Sequence, residues 1–289
     1  MLQIDLSKCT RCRSCARTCS VFEMEESIPV AKYPENCNDC GHCVAICPVG
    51  AIVNDRMDIG GFPDIADPGI TFDQLVQLAR NRRSMRHYTK EPVSREDIEK
   101  LLDTVRYVPT AENQQELEYL FITDEARMAM IRGAIVKYFK MLRDLVKNFY
   151  LLVKLKMGKT FADRARSNLT LKLEKYDART DPDEDPFMHG APALLIIHAP
   201  KQVAKGTTSF AVTDAGIAGY YLMLACEALG IGTCWCGFHT RFANMFKSFC
   251  SVSLVPDGHV VLASILMGHP AVKYKRNVFR RPVKAEIIG

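Results

Sequence analysis

The chain of 289 residues has a single tryptophan and no apolar run near the ~20 residues needed to cross a bilayer. Its opening, MLQIDLSKC, has neither the basic nor the apolar segment of a secretory leader. A secreted disulfide scaffold is therefore disfavoured, and a cytoplasmic location is expected. Two nucleotide signatures are incomplete. The Gly230-x-Gly232 turn has Trp235 where a dinucleotide fingerprint needs a third glycine, and Gly158-Lys159-Thr160 has Val153 where a phosphate loop needs its first. Nothing marks a dedicated NAD site, and no nucleic-acid motif is recognised. Net charge is modest at +5. Residues 127–175 nevertheless hold 13 Lys/Arg against 3 Asp/Glu, so the rest of the chain is acidic. This is an acidic chain with a basic block inserted.

Cysteine is what the chain has in plenty. Of twelve, eight lie in the first 47 residues. Cys9, Cys12, Cys15 and Cys19 are spaced C-x2-C-x2-C-x3-C; Cys37, Cys40, Cys43 and Cys47 repeat the spacing, followed by Pro48. A zinc ribbon needs two C-x2-C pairs, whereas each run here brings three close thiolates and a fourth, which overfills a tetrahedral zinc site. The pattern resembles the bacterial two-cluster ferredoxins. That resemblance implies two 4Fe-4S clusters with crossed ligands: Cys9, Cys12, Cys15 and Cys47 on one, Cys37, Cys40, Cys43 and Cys19 on the other. Ser20 stands where the first run would usually carry proline. Such a unit moves electrons singly and at low potential, in an expected anaerobic setting.

Length and a hydrophobic content of 48% suit two domains, one of them very small. Residues 1–57 read as the cluster unit, a repeated strand, cysteine loop and short helix. Residues 58–71, rich in Gly, Pro and Asp, read as a linker. Residues 72–289 read as an α+β domain. A helix is expected from Thr71, and another from Ser94 with Asp97 three residues on. Strands are expected at Tyr119–Thr123, Ala193–Ile197 and Val260–Met267, and a buried helix over Asp214–Leu229 closed by Gly230. Within the insertion, about 127–175, Ile135, Tyr138, Leu142, Leu145, Phe149 and Leu152 fall at helical spacing with lysines and arginines between them. A lid or dimer arm with a solvated basic face is the expectation. A docking face for an acidic ferredoxin, or contact with an anionic membrane surface, is the alternative.

Three further segments carry a second site. Arg82-Arg83-Ser84-Met85-Arg86 places three guanidiniums and a hydroxyl in five residues, suited to a phosphate. Pro109–Gln115 offers a small-residue turn with paired amides, and Gly230–Phe238 a glycine-rich turn after a buried helix. In this order they resemble the FMN-dependent nitroreductase family, from about Phe72 to the C-terminus. The resemblance implies a homodimer with FMN at the subunit interface. It assigns Arg82, Arg83, Ser84 and Arg86 to the FMN phosphate, ribityl chain and ring edge. Thr110, Ala111 and Asn113 would reach the flavin from the partner subunit. Cys236 and Gly237 would stand near flavin N5 and O4, and Arg280 or Arg281 near the phosphate. Cys236 replaces the family's usual aliphatic residue there. Cys226 and Cys250 read as inert core thiols and Cys234 as core beside the flavin. His239 and Tyr88 read as structural rather than as proton donors.

The function expected from this pairing is an oxidoreductase. A low-potential donor such as ferredoxin reduces the clusters, the clusters reduce FMN, and FMN reduces an organic acceptor: a nitro compound, quinone, activated alkene or specific metabolite. Reverse flow, or a redox sensor or carrier that is not an enzyme, are the alternatives.

Overall fold

The computed structural model describes residues 2–58, 64–179, 185–204 and 210–289. Residues 59–63 of the expected linker lie outside the described residues, and Asp64–Ile70 is exposed with no regular structure. Two compact units result: Met1–Ile70 with Thr110–Gln115, and Thr71–Pro109 with Glu116–Gly289. The Thr110–Gln115 turn, expected in the larger domain, therefore groups with the cysteine unit, where the Asn113 side-chain amide donates to the Asn38 carbonyl at 3.0 Å. Among the described residues no helix is long and apolar enough to cross a membrane.

The first unit folds as a repeat. Strand β1 (Leu2–Ile4), helix α1 (Ser14–Thr18) and β2 (Phe22–Glu25) are followed by β3 (Ile28–Ala31), α2 (His42–Ala45) and β4 (Ile52–Asn54). β1 pairs antiparallel with β4, and β2 with β3. The repeat extends to the backbone. Arg11 and Asp39 occupy the same place in the two cysteine runs and both have positive φ, as do Arg13 and Gly41. The left-handed residues curl each loop so that successive cysteines turn inward. The core is small: Leu2, Val21, Phe22, Val44 and Ile52, together with Cys15 and Cys43.

The second unit opens on α3 (Phe72–Asn81), where Thr71 and Gln74 form a reciprocal capping box, and α4 (Arg95–Val105), where Ser94 accepts from the Asp97 amide at 3.0 Å. Then come β5 (Glu118–Ile122), α5 (Glu125–Asn148), α6 (Tyr150–Met157), α7 (Lys159–Asp177), β6 (Ala193–Pro200), α8 (Lys201–Ala204) and α9 (Ala211–Ala228). β7 (Gly232–Trp235), α10 (Gly237–Met245), α11 (Lys247–Val252) and β8 (His259–Gly268) complete it. The four strands form one antiparallel sheet in the order β5-β6-β8-β7. β6 alternates Leu194 and Ile196 into a core with α5, α7, α10 and α11, and Leu195 and Ile197 into a second core with α4 and α9. Both faces are covered, which is why β6 reads as an unbroken apolar run.

Two expectations change. The segment after Gly230 is a strand rather than only a turn. Gly230 (φ +74°) closes α9, with the Ile231 amide bonding back to the Cys226 carbonyl at 2.8 Å, and β7 begins directly. The basic block is also not a solvated lid or arm throughout. α5 buries Met128, Ile131, Ile135, Tyr138 and Phe139 in the core, while Leu151, Leu152 and Leu155 of α6 are exposed.

Gly232 is sterically required. A Cβ there would lie 2.7 Å from Met85 Cγ and 2.9 Å from Met85 Cβ. Gly232→Ala is expected to cost about 1–3 kcal/mol in urea unfolding through overpacking. Gly133→Ala, on the exposed face of α5 with nothing within 4 Å, is expected to be neutral or to gain up to about 1 kcal/mol.

Candidate functional site

The cysteines sort as crossed sets. Cys9, Cys12, Cys15 and Cys47 line one small cavity with Ile4 and Ile52. Cys43 is pushed up to about 11 by burial and then by the charges of Cys19, Cys37 and Cys40. Burial raises Cys15 likewise, with Cys9 and Cys12 as its like-charged neighbours. Thiolates crowded this way repel one another unless a cation lies among them, so the donor sets fit two iron–sulfur clusters. Backbone amides already point at sulfur: Ala51 at Cys47 Sγ, 3.2 Å, and Arg11 at Cys9 Sγ, 3.4 Å. Such bonds favour the charged form of the ligand.

In the larger unit, residues 84–89 lie along the sheet's outer edge. Ser84 bridges Thr233 in parallel, the Met85 amide donates to the Thr233 carbonyl at 2.8 Å, and the Thr89 amide to the His269 carbonyl at 2.8 Å. This fixes the spread of the arginines. Arg82 caps α3; its Nε is buried without a hydrogen-bond partner among the described residues, and its guanidinium lies 5.7 Å from the Tyr220 ring. Arg83 turns to the C-terminal segment, over the Tyr274 ring at 4.0 Å and donating to the Arg276 carbonyl. Arg86 faces a cavity of about 460 Å³ whose other walls include Cys234, Cys236, Gly237 and Leu266. So the structure brings Arg86, Cys236 and Gly237 to one cavity, with Ser84 beside it against Cys234. Arg280 and Arg281 lie on an exposed C-terminal segment, and Thr110, Ala111 and Asn113 belong to the other unit.

The fit to a flavin rests on the chemistry of that cavity. Its lining mixes the cations Arg86, Lys172 and Arg241 with the apolar groups Phe187, Trp235, Phe238 and Leu266, and outside the cavity the buried Nε of Arg82 has no hydrogen-bond partner among the described residues. An anionic group with an aromatic ring satisfies both. Three wall residues were not picked out from sequence. Lys172 of α7 donates to the Pro186 carbonyl at 2.8 Å and lies 5.0 Å from the Phe238 ring; Arg241 comes from α10; His189 follows a loop, at φ +59°. Burial lowers Lys172, and burial with Lys172 and Arg86 lowers His189 to about 4, so its imidazole is neutral at pH 7. Burial raises Cys236 to about 11, which keeps it a thiol. Cys226 is raised further, to about 12, as an inert core thiol should be.

His239 and Tyr88 are structural. The Tyr88 hydroxyl donates to the Met85 carbonyl at 2.9 Å, and burial raises its ionisation far above the usual range. His239 is fully buried between Ser264 Oγ (2.8 Å) and Ser253 Oγ (2.9 Å), and burial holds it at about 3 against 6.5 when free.

Two outcomes follow from these placements. The unfolded chain protonates His239 as pH falls past 6.5, whereas the folded chain resists to about 3, so stability present above 6.5 is lost on acidification. Wild type should lose on the order of 1 kcal/mol per pH unit more than His239→Gln between about pH 6 and 5, read by urea unfolding. Arg82→Met keeps the apolar stem and removes the guanidinium; flavin retained per chain should fall about tenfold or more, consistent with ~1.5–3 kcal/mol for a bond to a charged group.

Comparison with known proteins agrees with this architecture. Residues 79–269 match the nitroreductase family, and residues 1–48 match the 4Fe-4S dicluster domain. The chain is 23% identical over 202 residues to an NAD(P)H-dependent FMN reductase of Bacillus subtilis, covering 69% of this chain and 67% of that one. It is 40% identical over 53 residues to a ferredoxin of Methanocaldococcus jannaschii, covering 17% of this chain and 86% of the ferredoxin. A nitroreductase from Desulfitobacterium hafniense, solved with bound FMN, shares the fold at a TM-score of 0.52 and 19% identity, over 73% of this chain and 97% of that one. The chain belongs to the nitroreductase family, carries a 4Fe-4S dicluster domain ahead of it, and is an FMN-dependent oxidoreductase.

Proposed function

We propose that electrons enter this protein singly at the cysteine-held clusters and leave in pairs at the Arg86–Cys236 cavity. FMN supplies the junction, because flavins exchange electrons both singly and in pairs. The observation that carries the reading is the presence in one chain of crossed thiolate sets and a flavin-sized cavity lined by Arg86, Lys172 and Arg241 among apolar groups. A low-potential protein such as ferredoxin is the donor. The acceptor is a small organic molecule: a nitro compound, a quinone, an activated alkene or a specific metabolite. Arg86, Lys172 and Arg241 favour an acceptor that gains negative charge as it is reduced. Neutral His189 and the thiol of Cys236 add no opposing charge there.

The working form is a homodimer with FMN at the interface, and Thr110, Ala111 and Asn113 reach the partner's flavin. Exposed Phe210, Val212, Ile217, Tyr220 and Tyr221 on and beside α9, and Phe279, Val283, Ile287 and Ile288 on the C-terminal segment, support a second copy covering them. In the same way, the exposed leucines of α6 support a dimer arm over a membrane contact. A cytoplasmic, anaerobic setting suits the exposed cluster loops.

Anaerobic stopped-flow separates this reading from direct nicotinamide reduction. Reduced ferredoxin should bleach the flavin of the wild type, and bleaching should fall to background in full-length Cys12→Ser and Cys40→Ser. If NADH or NADPH bleaches wild type and variants equally fast while ferredoxin does nothing, the clusters are not the entrance and the proposal fails.

A further inference from the structure

At the end of β8 away from its pairing with β7, three adjacent strands each bring one metal-ligating side chain together: Glu118 on β5, His198 on β6 and His259 on β8. Glu118 and His198 are direct cross-strand partners. His259 joins them because of an irregularity. The β6–β8 register shifts between Ile197 and His198, so that Ile197 faces Ala263 but His198 faces Val261. Below the shift the alternation of β8 is inverted. Ala263, Ile265 and Met267 pack in the core with α9, whereas Val261 packs in the core with α5. A regular strand would have put His259 on the face of Ala263. The extra residue re-aims it to the face of Leu120, Ile122, Leu194 and Ile196, which His198 and Glu118 share.

The three ligand atoms lie within 4.8 Å of one another. His198 Nδ1 and His259 Nδ1 are 3.0 Å apart, with Glu118 carboxylate oxygens 3.8 Å from the first and 3.9 Å from the second. Two imidazoles on a tetrahedral zinc at ~2.0–2.1 Å bonds stand roughly 3.3 Å apart, so shifts of a few tenths of an ångström seat an ion among these atoms. Without an ion, the two facing Nδ1 atoms are compatible only as opposite tautomers, one donating to the other. Burial supplies both rigidity and access. The His198 side chain is 5% exposed and that of His259 15%, while Glu118, at 52%, leaves a path to solvent and room for water as a fourth ligand.

We propose that Glu118, His198 and His259 bind a divalent transition-metal ion of the zinc type. Two neutral imidazoles and one carboxylate suit zinc, which carries no electrons of its own. The ion ties edge strand β5 to β6 and β8, so its contribution is to the stability of the sheet. It is independent of the clusters, whose ligands are all cysteines, and of the flavin cavity.

The test uses the full chain, purified anaerobically with clusters and flavin in place, cleared of loose metal by a mild chelator and then titrated with ZnCl2. Wild type should take up one zinc per chain more than either Glu118→Gln or His259→Ala. Either variant should weaken that site by about tenfold or more. Zinc should raise the melting temperature of wild type and leave that of the variants unmoved. Zinc X-ray absorption should show imidazole nitrogen and oxygen neighbours. Glu118 is exposed, so its variant keeps the fold, as unchanged flavin and cluster content will show. Equal zinc uptake by wild type and both variants overturns the proposal. So does a first shell of sulfur alone, which would place the zinc on cluster cysteines.

Discussion

Pairing along β8 is the constraint from which the second unit is built. β8 is bonded on one side to β6 and on the other to β7, and its residues 261–267 are nearly all buried. β7 depends on it, through Thr233 opposite Met267 and Trp235 opposite Ile265. Residues 84–85 in turn depend on β7, and the position of Arg86 depends on them. A slip of one residue between β7 and β8 would turn Cys234 to the opposite face and carry the arginines with it. The glycines at this junction record how tight it is: Gly232 lies under Met85, and Gly268 lies under Tyr88 and Pro192.

The first unit rests on a different balance. Its core is too small to hold a fold by apolar burial alone, and its eight thiols sit in two crowded groups. Without cations the crowding opposes folding; with iron–sulfur clusters it becomes the staple. Electron transfer and stability in this unit thus depend on the same atoms.

Much of this was legible in the sequence, for physical reasons. Cysteine spacing encodes ligand geometry directly. Thr71, Ser94 and Gly230 act on backbone groups within a few residues, so local reading placed them correctly. β6 was legible because both its faces are buried. β7 was not: two glycines in a four-residue approach mimic a turn, and only pairing with β8 makes it a strand. The apolar face of α5 was legible at Ile135 and Tyr138, but helical spacing does not say whether such a face meets the core of its own chain or a partner. Lys172, His189 and Arg241 come from three elements far apart in the chain and converge only in the folded unit. The face inversion that aims His259 at His198 has no local sequence signal, because it is a property of register.

The central claim is that the clusters feed the flavin. Its most direct test is an anaerobic potentiometric titration of the full-length protein, following the clusters by electron paramagnetic resonance and the flavin by absorbance. The account predicts cluster potentials below the two-electron potential of the flavin, so that electrons entering at the cysteines come to rest at the Arg86 cavity. Cluster potentials above the flavin's would reverse the flow and contradict it.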